Sequence, residues 1–238
     1  MDTKEVVILA GGMGNRIQSI SKGLPKCMMP IGRKPFLYHL LVQFINLGAD
    51  KIILATANKN EYIVEFVIEA FRTEVNAGKI VFSNEKVQSG TGGAILAAAD
   101  KIQSEVFLVS NADTIIPELS DVIWSTLNEN MNFLIFLSEM TGPRFSYVKT
   151  DETHIIDTLG PNETSGKTSS GLVLARKSFI TKLSQGSQFS LEIDVLRDEI
   201  RHRTVGFKIV GDFIDFGVPE DFARASARYK NKENSIFG

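Results

Sequence analysis

Apolar positions follow two rhythms along this chain, and the rhythm changes near residue 140. Residues 6–10 form a continuous apolar run closed by Gly11-Gly12, which predicts a strand buried on both faces. Over residues 35–47, Phe36, Leu37, Leu40, Leu41, Phe44 and Ile45 recur at helical spacing. Pro35 suits the first turn of that helix and Gly48 its carboxy-terminal cap. A buried strand over 51–57 and a helix marked by Ile63, Phe66, Val67, Ala70 and Phe71 follow. The pattern continues with a strand over 79–83, an alanine-rich helix over 93–102 and a strand over 105–110. A helix over 117–127 and a strand over 132–138 complete this part. Strand alternating with helix predicts an α/β fold with a mostly parallel central sheet flanked by helices.

Beyond residue 140 the runs are shorter and turn residues more frequent. Strands are expected at 146–149, 154–158, 170–175 and 204–209, with helices only around 177–183 and 191–202. A short apolar segment at 213–216 precedes a last helix over 220–229, and residues 231–238 are a polar tail. With no repeat, low-complexity tract or linker, residues 1–230 read as one domain whose second part builds onto the sheet of the first.

Composition narrows the function classes. A chain of 238 residues with 43% apolar content can bury a full core without cross-links. The net charge of −2 gives no basic face for nucleic acid. One cysteine, Cys27, excludes an internal disulfide, and the apolar run after the charged Met1–Glu5 segment is too short for a signal peptide or a membrane span. A cytoplasmic protein without a membrane partner is expected. His39, His154 and His202 lack ligand spacing, which argues against zinc, and Cys27 reads as a small buried thiol.

The densest chemical signal is the segment 6–35, VVILAGGMGNRIQSISKGLPKCMMPIGRKP. A buried strand delivers the chain through Leu9 and Ala10 to Gly11, Gly12 and Gly14, where backbone N–H groups can approach a phosphate. Arg16 offers a guanidinium fork to the same phosphates, and Pro25-Lys26 sets an ammonium on a restricted backbone. Gly-Gly-x-Gly alone is also what a tight turn looks like. No Gly-Lys-Ser/Thr follows, so it is not a nucleoside-triphosphate P-loop, and the glycine spacing is not that of a dinucleotide fingerprint. A second loop, Ser89-Gly90-Thr91-Gly92-Gly93-Ala94, opens the alanine-rich helix and can admit a flat base, or can serve helix packing alone. Two aspartates stand far apart: Asp113 just beyond the apolar run 106–109, and Asp215 within Phe213-Ile214-Asp215-Phe216-Gly217. An aspartate at the carboxyl end of a buried strand points into the crevice where open α/β sheets bind ligands, and two such carboxylates suit Mg²⁺.

These runs resemble the sugar-phosphate nucleotidyltransferases, whose pattern is Leu-Ala-Gly-Gly-x-Gly-x-Arg, then Pro-Lys, then Lys-Pro before a helix. The resemblance implies a single Rossmann-like domain in which residues 1–140 bind the nucleotide and 141–230 the acceptor and sheet edge. It implies that Leu9, Ala10, Gly11, Gly12 and Gly14 hold the nucleotide. Arg16 and Lys26 would be the catalytic cations, and Asp113 and Asp215 the Mg²⁺ ligands. Gly90, Thr91 and Gly92 would line the base pocket with Glu85, or Gln88, beside them. Ala112 stands where glycine is usual.

The acceptor motifs depart further. Arg144-Phe145-Ser146-Tyr147 and Ser169-Ser170-Gly171 replace Arg-Tyr-Gly and Asn-Ala/Gly-Gly, while Phe189-Ser190-Leu191-Glu192 keeps the pattern. Arg144, Ser146, Ser169 and Glu192 are the expected acceptor contacts. Lys34-Pro35-Phe36-Leu37, the 90–95 loop and Asp215-Phe216-Gly217-Val218-Pro219-Glu220-Asp221-Phe222 resemble the heptose 1-phosphate guanylyltransferase branch. That branch implies GTP and a heptose 1-phosphate as substrates, a GDP-heptose for a capsule or other surface polysaccharide, and allows a homodimer. Uridylyl or cytidylyl transfer to another, even non-sugar, phosphorylated acceptor remains open, as does a catalytically silent nucleotide-sugar-binding module. A Rossmann-type oxidoreductase would require tight NAD(P) binding without triphosphate turnover.

Overall fold

The structure is a computed structural model that describes residues 3–12, 23–57, 61–85, 89–125, 127–142, 147–158, 166–183, 188–215 and 219–229. The first strand, β1 (Glu5–Leu9), is buried along nearly its whole length. A 3₁₀ turn at Lys26–Met28 leads into a small ribbon of β2 (Pro30–Ile31) and β3 (Lys34–Pro35), and then into helix α1 (Phe36–Asn46). Pro35 precedes the helix as its cap residue rather than lying inside the first turn. Strand β4 (Lys51–Ala57) is followed by α2 (Glu61–Ala70) and α3 (Arg72–Asn76), which are separated by Phe71 at φ −128°. Strand β5 (Ile80–Glu85), helix α4 (Gly90–Ala98), strand β6 (Val106–Asn111) and the short β7 (Thr114–Ile115) come next.

The helix expected over residues 117–127 is not formed; a single 3₁₀ turn, Asp121–Trp124, stands there. Ser120 and Ser125 both take extended backbone and cut the segment to one turn. Tertiary anchors outweigh the local pattern: Ile123 is fully buried, and the Trp124 indole N–H donates to the Leu47 carbonyl at the end of α1 (2.7 Å). A turn that short cannot nucleate a stable helix by itself.

Strand β8 (Phe133–Ser138) closes the first part, and the second holds β9 (Tyr147–Thr150), β10 (Ile155–Thr158), β11 (Lys167–Arg176), α5 (Lys177–Ile180), α6 (Arg197–Arg201), β12 (Val205–Ile209), β13 (Ile214–Asp215) and α7 (Pro219–Tyr229). The helix expected over 191–202 begins as a π turn at Leu191–Leu196 before continuing as α6.

The main sheet is mixed. Strands β6, β1, β4 and β5 lie side by side and parallel, with Val6 opposite both Ile52 and Leu108. Antiparallel β11 joins this block at β6; its other edge carries β8, β9 pairs at its beginning on the β6 edge, and β12 runs parallel to β8. Each parallel strand buries alternate residues on opposite faces. Val6 and Ile8 pack with Phe36, Leu40 and Phe44 of α1, while Val7 packs with Ile95 and Ala98 of α4 and with Val195. That double burial is why these strands read as unbroken apolar runs.

From β1 the chain moves outward to β4 and β5, then returns to the other side of β1 for β6. The crevice beyond the carboxyl ends of β1 and β6 is therefore the topological switch point, where open α/β sheets bind ligands. No helix among the described residues is long and apolar enough to cross a membrane.

Candidate active site

At the switch point β1 ends with Leu9 opposite Asn111 of β6, so Ala10–Gly12 and Ala112-Asp113 leave the sheet side by side. Ala10 extends the β4 pairing through its N–H to the Ala55 carbonyl (2.9 Å). Among the described residues, a side chain on Gly12 would find nothing within 4 Å. Gly14 and Arg16 lie outside the described residues.

Lys26 is set by local geometry. Pro25 holds extended backbone at ψ 142°, and the 3₁₀ turn closes with Met28 N–H donating to the Pro25 carbonyl (2.8 Å). Asp215 arrives from the far end of the chain. Strands β7 and β13 pair antiparallel with Asp215 opposite Thr114, which brings its carboxylate beside Asp113. The Lys26 ammonium bridges the two, donating to Asp113 Oδ2 at 2.5 Å and lying 3.6 Å from Asp215 Oδ1. The two aspartates predicted from sequence, 102 positions apart by their numbering (215 − 113), thus share one cation. All three side chains are partly exposed, which leaves them open to a ligand in the crevice.

Cys27 directly follows the lysine but is sealed in the core. Burial, then the neighbouring Asp113 charge, push its thiol up to about 12, so it stays protonated and inert. His39 lies outside the site: it is buried on α1, bonded through Nε2 to the Ile31 carbonyl (2.9 Å), and burial lowers its pKa.

The second loop is not a free turn, as Gly90, Thr91 and Gly92 form the first turn of α4. Gly90 has φ +78°, and a Cβ there would fall 2.3 Å from the Phe189 carbonyl oxygen; one on Gly92 would fall 2.2 Å from the Phe189 ring. These glycines therefore serve close docking of Phe189, the packing role that the sequence left open. Glu85, at the carboxyl end of β5, is buried and accepts the Ser89 hydroxyl on Oε1 (2.8 Å). Gln88 lies outside the described residues.

On the acceptor side, Ser169 is exposed where β11 shifts register against β8. The irregularity puts Gly171 at φ +77° against Asn111, whose Nδ2 would lie 3.0 Å from a Cβ there. Sequence reasoning missed Asn111; a polar residue closing a buried strand two positions before Asp113 was the available signal. Glu192 is exposed, and its Oε2 accepts hydroxyls from both Thr91 and Ser190 (2.8 Å each). Arg144 and Ser146 lie outside the described residues. Asp198, Glu199 and His202 gather elsewhere, but Asn132 and Thr204 already hold Glu199.

Comparison with known proteins places the fold. The profile of the family described as nucleotidyl transferase matches residues 5–232. The D-glycero-alpha-D-manno-heptose 1-phosphate guanylyltransferase of Aneurinibacillus thermoaerophilus is 31% identical over 225 residues, 93% of this chain and 96% of that protein. The protein of the same name from Campylobacter jejuni is 32% identical over 221 residues, 92% of this chain and 96% of its own length. Among solved structures, HddC from Yersinia pseudotuberculosis complexed with GMP-PN superposes with a TM-score of 0.78 at 34% identity, covering 95% of this chain and 100% of that one.

Proposed function

The chain belongs to the nucleotidyl transferase family, and from that premise we propose that it transfers GMP from GTP to a heptose 1-phosphate, giving a GDP-heptose and pyrophosphate. The observation that carries this reading is the Lys26 ammonium held between Asp113 and Asp215 at the switch point of the sheet. The acceptor's phosphate oxygen forms a bond to the α-phosphorus as the bond from that phosphorus to the bridging oxygen breaks, and pyrophosphate leaves with the electron pair. An ionised phosphate is already a competent nucleophile, so no general base is required. Holding the two reactants as neighbours can supply roughly 7–11 kcal/mol of the barrier.

Lys26 neutralises charge on the α-phosphate of the transferring nucleotidyl group, Arg16 steadies the leaving pyrophosphate, and Gly11, Gly12 and Gly14 offer backbone N–H groups to the phosphates. Asp113 and Asp215 fit a Mg²⁺ ion: both are hard oxygen donors, and they converge closely enough for one ammonium to contact both. Bound there, the ion would screen the nucleotide phosphates against the incoming anion. Glu85 supports guanine, whose Watson–Crick edge presents adjacent N1–H and N2–H donors to a carboxylate acceptor. Arg144, Ser146, Ser169 and Glu192 are assigned to the acceptor side. The product would serve the building of a surface polysaccharide from the cytoplasm.

Pyrophosphate release across GTP, CTP, UTP, ATP and dTTP, each with Mg²⁺ and a panel of sugar phosphates, tests the proposal. Release with GTP and heptose 1-phosphate is expected, with Glu85→Gln weakening the preference for GTP by about tenfold. Release only with another pair would keep the chemistry and overturn the substrates. Nucleotide binding without release would favour the silent module.

A further inference from the structure

The loop at the start of α4 and the segment at 189–194 are about a hundred residues apart in the chain, yet they are bonded as one unit. Phe189 N–H donates to the Ser89 carbonyl (2.9 Å), and Gly92 N–H donates to the Phe189 carbonyl (3.1 Å). The Thr91 hydroxyl donates to Glu192 Oε2 (2.8 Å) and accepts the Leu191 N–H (2.9 Å). On the far side, Ser190 donates to the same Glu192 oxygen (2.8 Å) and accepts the Ile193 N–H (3.2 Å), while Asp194 Oδ2 accepts the Ser190 N–H (2.7 Å). Glu192 is thereby held by a capped turn on one side and by Thr91 on the other.

A hydroxyl has one proton to give. That of Thr91 is spent on Glu192, so it has none for a base or a phosphate while this bond stands. We propose that Thr91 is a positioning residue which, through its bond to the acceptor-side Glu192, forms a latch that ties the nucleotide loop to the acceptor-side segment so that nucleotide at the loop sets the geometry of the acceptor site. The inference rests on the function proposed above. The π turn at Leu191–Leu196 suits this role, since such turns are frequent at functional sites. The glycines complete the latch, because a side chain at Gly90 or Gly92 would push Phe189 away.

The test uses the full chain with Thr91→Val, which keeps the shape and deletes the hydroxyl, Thr91→Ser, which keeps the hydroxyl, Glu192→Ala, and the Val/Ala double variant. Loss of such a bond is expected to raise the KM for the acceptor about tenfold in Thr91→Val while the Kd for GTP alone changes less than about twofold. Thr91→Ser is expected to restore the KM, and the double variant to be no worse than the worse single one. Hydrogen exchange of residues 188–196 is expected to slow when GTP binds the wild type and to ignore GTP in Thr91→Val. Equal losses in GTP affinity and acceptor KM, additive singles, or an unchanged KM would overturn the latch. GTP binding to the wild type with no change in exchange over 188–196 would defeat the latch alone. Failure of the wild type to bind or turn over any nucleotide would defeat the function on which it rests.

Discussion

The strands that end in the site begin, at their other end, with a second lysine–carboxylate arrangement. Glu5 opens β1 and is wholly buried; its Oε2 accepts Gln103 N–H (2.7 Å), Ser104 N–H (2.6 Å) and the Ser104 hydroxyl (2.7 Å). Lys51, at the start of β4, donates to the Lys101 carbonyl (2.6 Å) and lies 3.8 Å from Glu5 Oε1. At the carboxyl end, Lys26, Asp113 and Asp215 use the same kinds of charge, but the aspartates are about a third and a quarter exposed and come from distant parts of the chain. Both arrangements pair a cation with carboxylates, so the ion pair itself does not mark function. Exposure does: Glu5 is wholly buried, its Oε2 holding two backbone N–H groups and a hydroxyl in a closed corner, whereas the Lys26 group is partly exposed at a crevice where phosphates can enter.

Substitutions at the two ends should therefore separate activity from stability. The largest effect is expected from Asp113→Asn, which should lower kcat by a factor on the order of 10³ or more, since a lost metal ligand removes several kcal/mol of charge stabilisation. Its urea unfolding curve should stay close to wild type; near-normal turnover would remove Asp113 from the metal site. Lys26→Ala should lower kcat by about 10²–10³-fold with little change in nucleotide Kd, because its charge matters most in the transition state. A loss confined to Kd would make it a binding residue.

Glu5→Ala should give the opposite pattern. Three donors, the two on Ser104 buried, lose their acceptor and Lys51 its counter-charge, at a cost of about 3 kcal/mol in unfolding free energy, while kcat per folded molecule is retained. An activity loss without a stability loss would break the contrast between the two ends.

A smaller effect belongs to His39, buried on α1. Burial lowers its pKa below the ordinary 6.5, so the folded protein keeps it neutral while the unfolded chain takes a proton. Its contribution is complete above pH 6.5 and declines as pH falls below that value, with a slope of at most about 1.4 kcal/mol per pH unit. His39→Gln should flatten the stability profile between pH 6.5 and 5; an unchanged slope would assign it to other groups.

The chain's own pattern determined the parallel block. Residues 6–10 and 51–57 are apolar without interruption because each buries both faces, and helix α1 shows its spacing because one face meets the core. Lys26 and Asp113 were legible as chemistry because a lysine after proline and an aspartate after a buried strand are local arrangements. The 117–127 segment was misread because its order depends on Trp124 reaching Leu47, a contact that no local spacing encodes. Only the tertiary structure decided that Asp215 meets Asp113, since the β7–β13 pairing joins segments about a hundred residues apart. It likewise decided that the glycines at 90 and 92 accommodate Phe189 and that Thr91 is bound to Glu192. A glycine or a hydroxyl states in sequence what it permits, and its partner is chosen only when distant segments are packed against it.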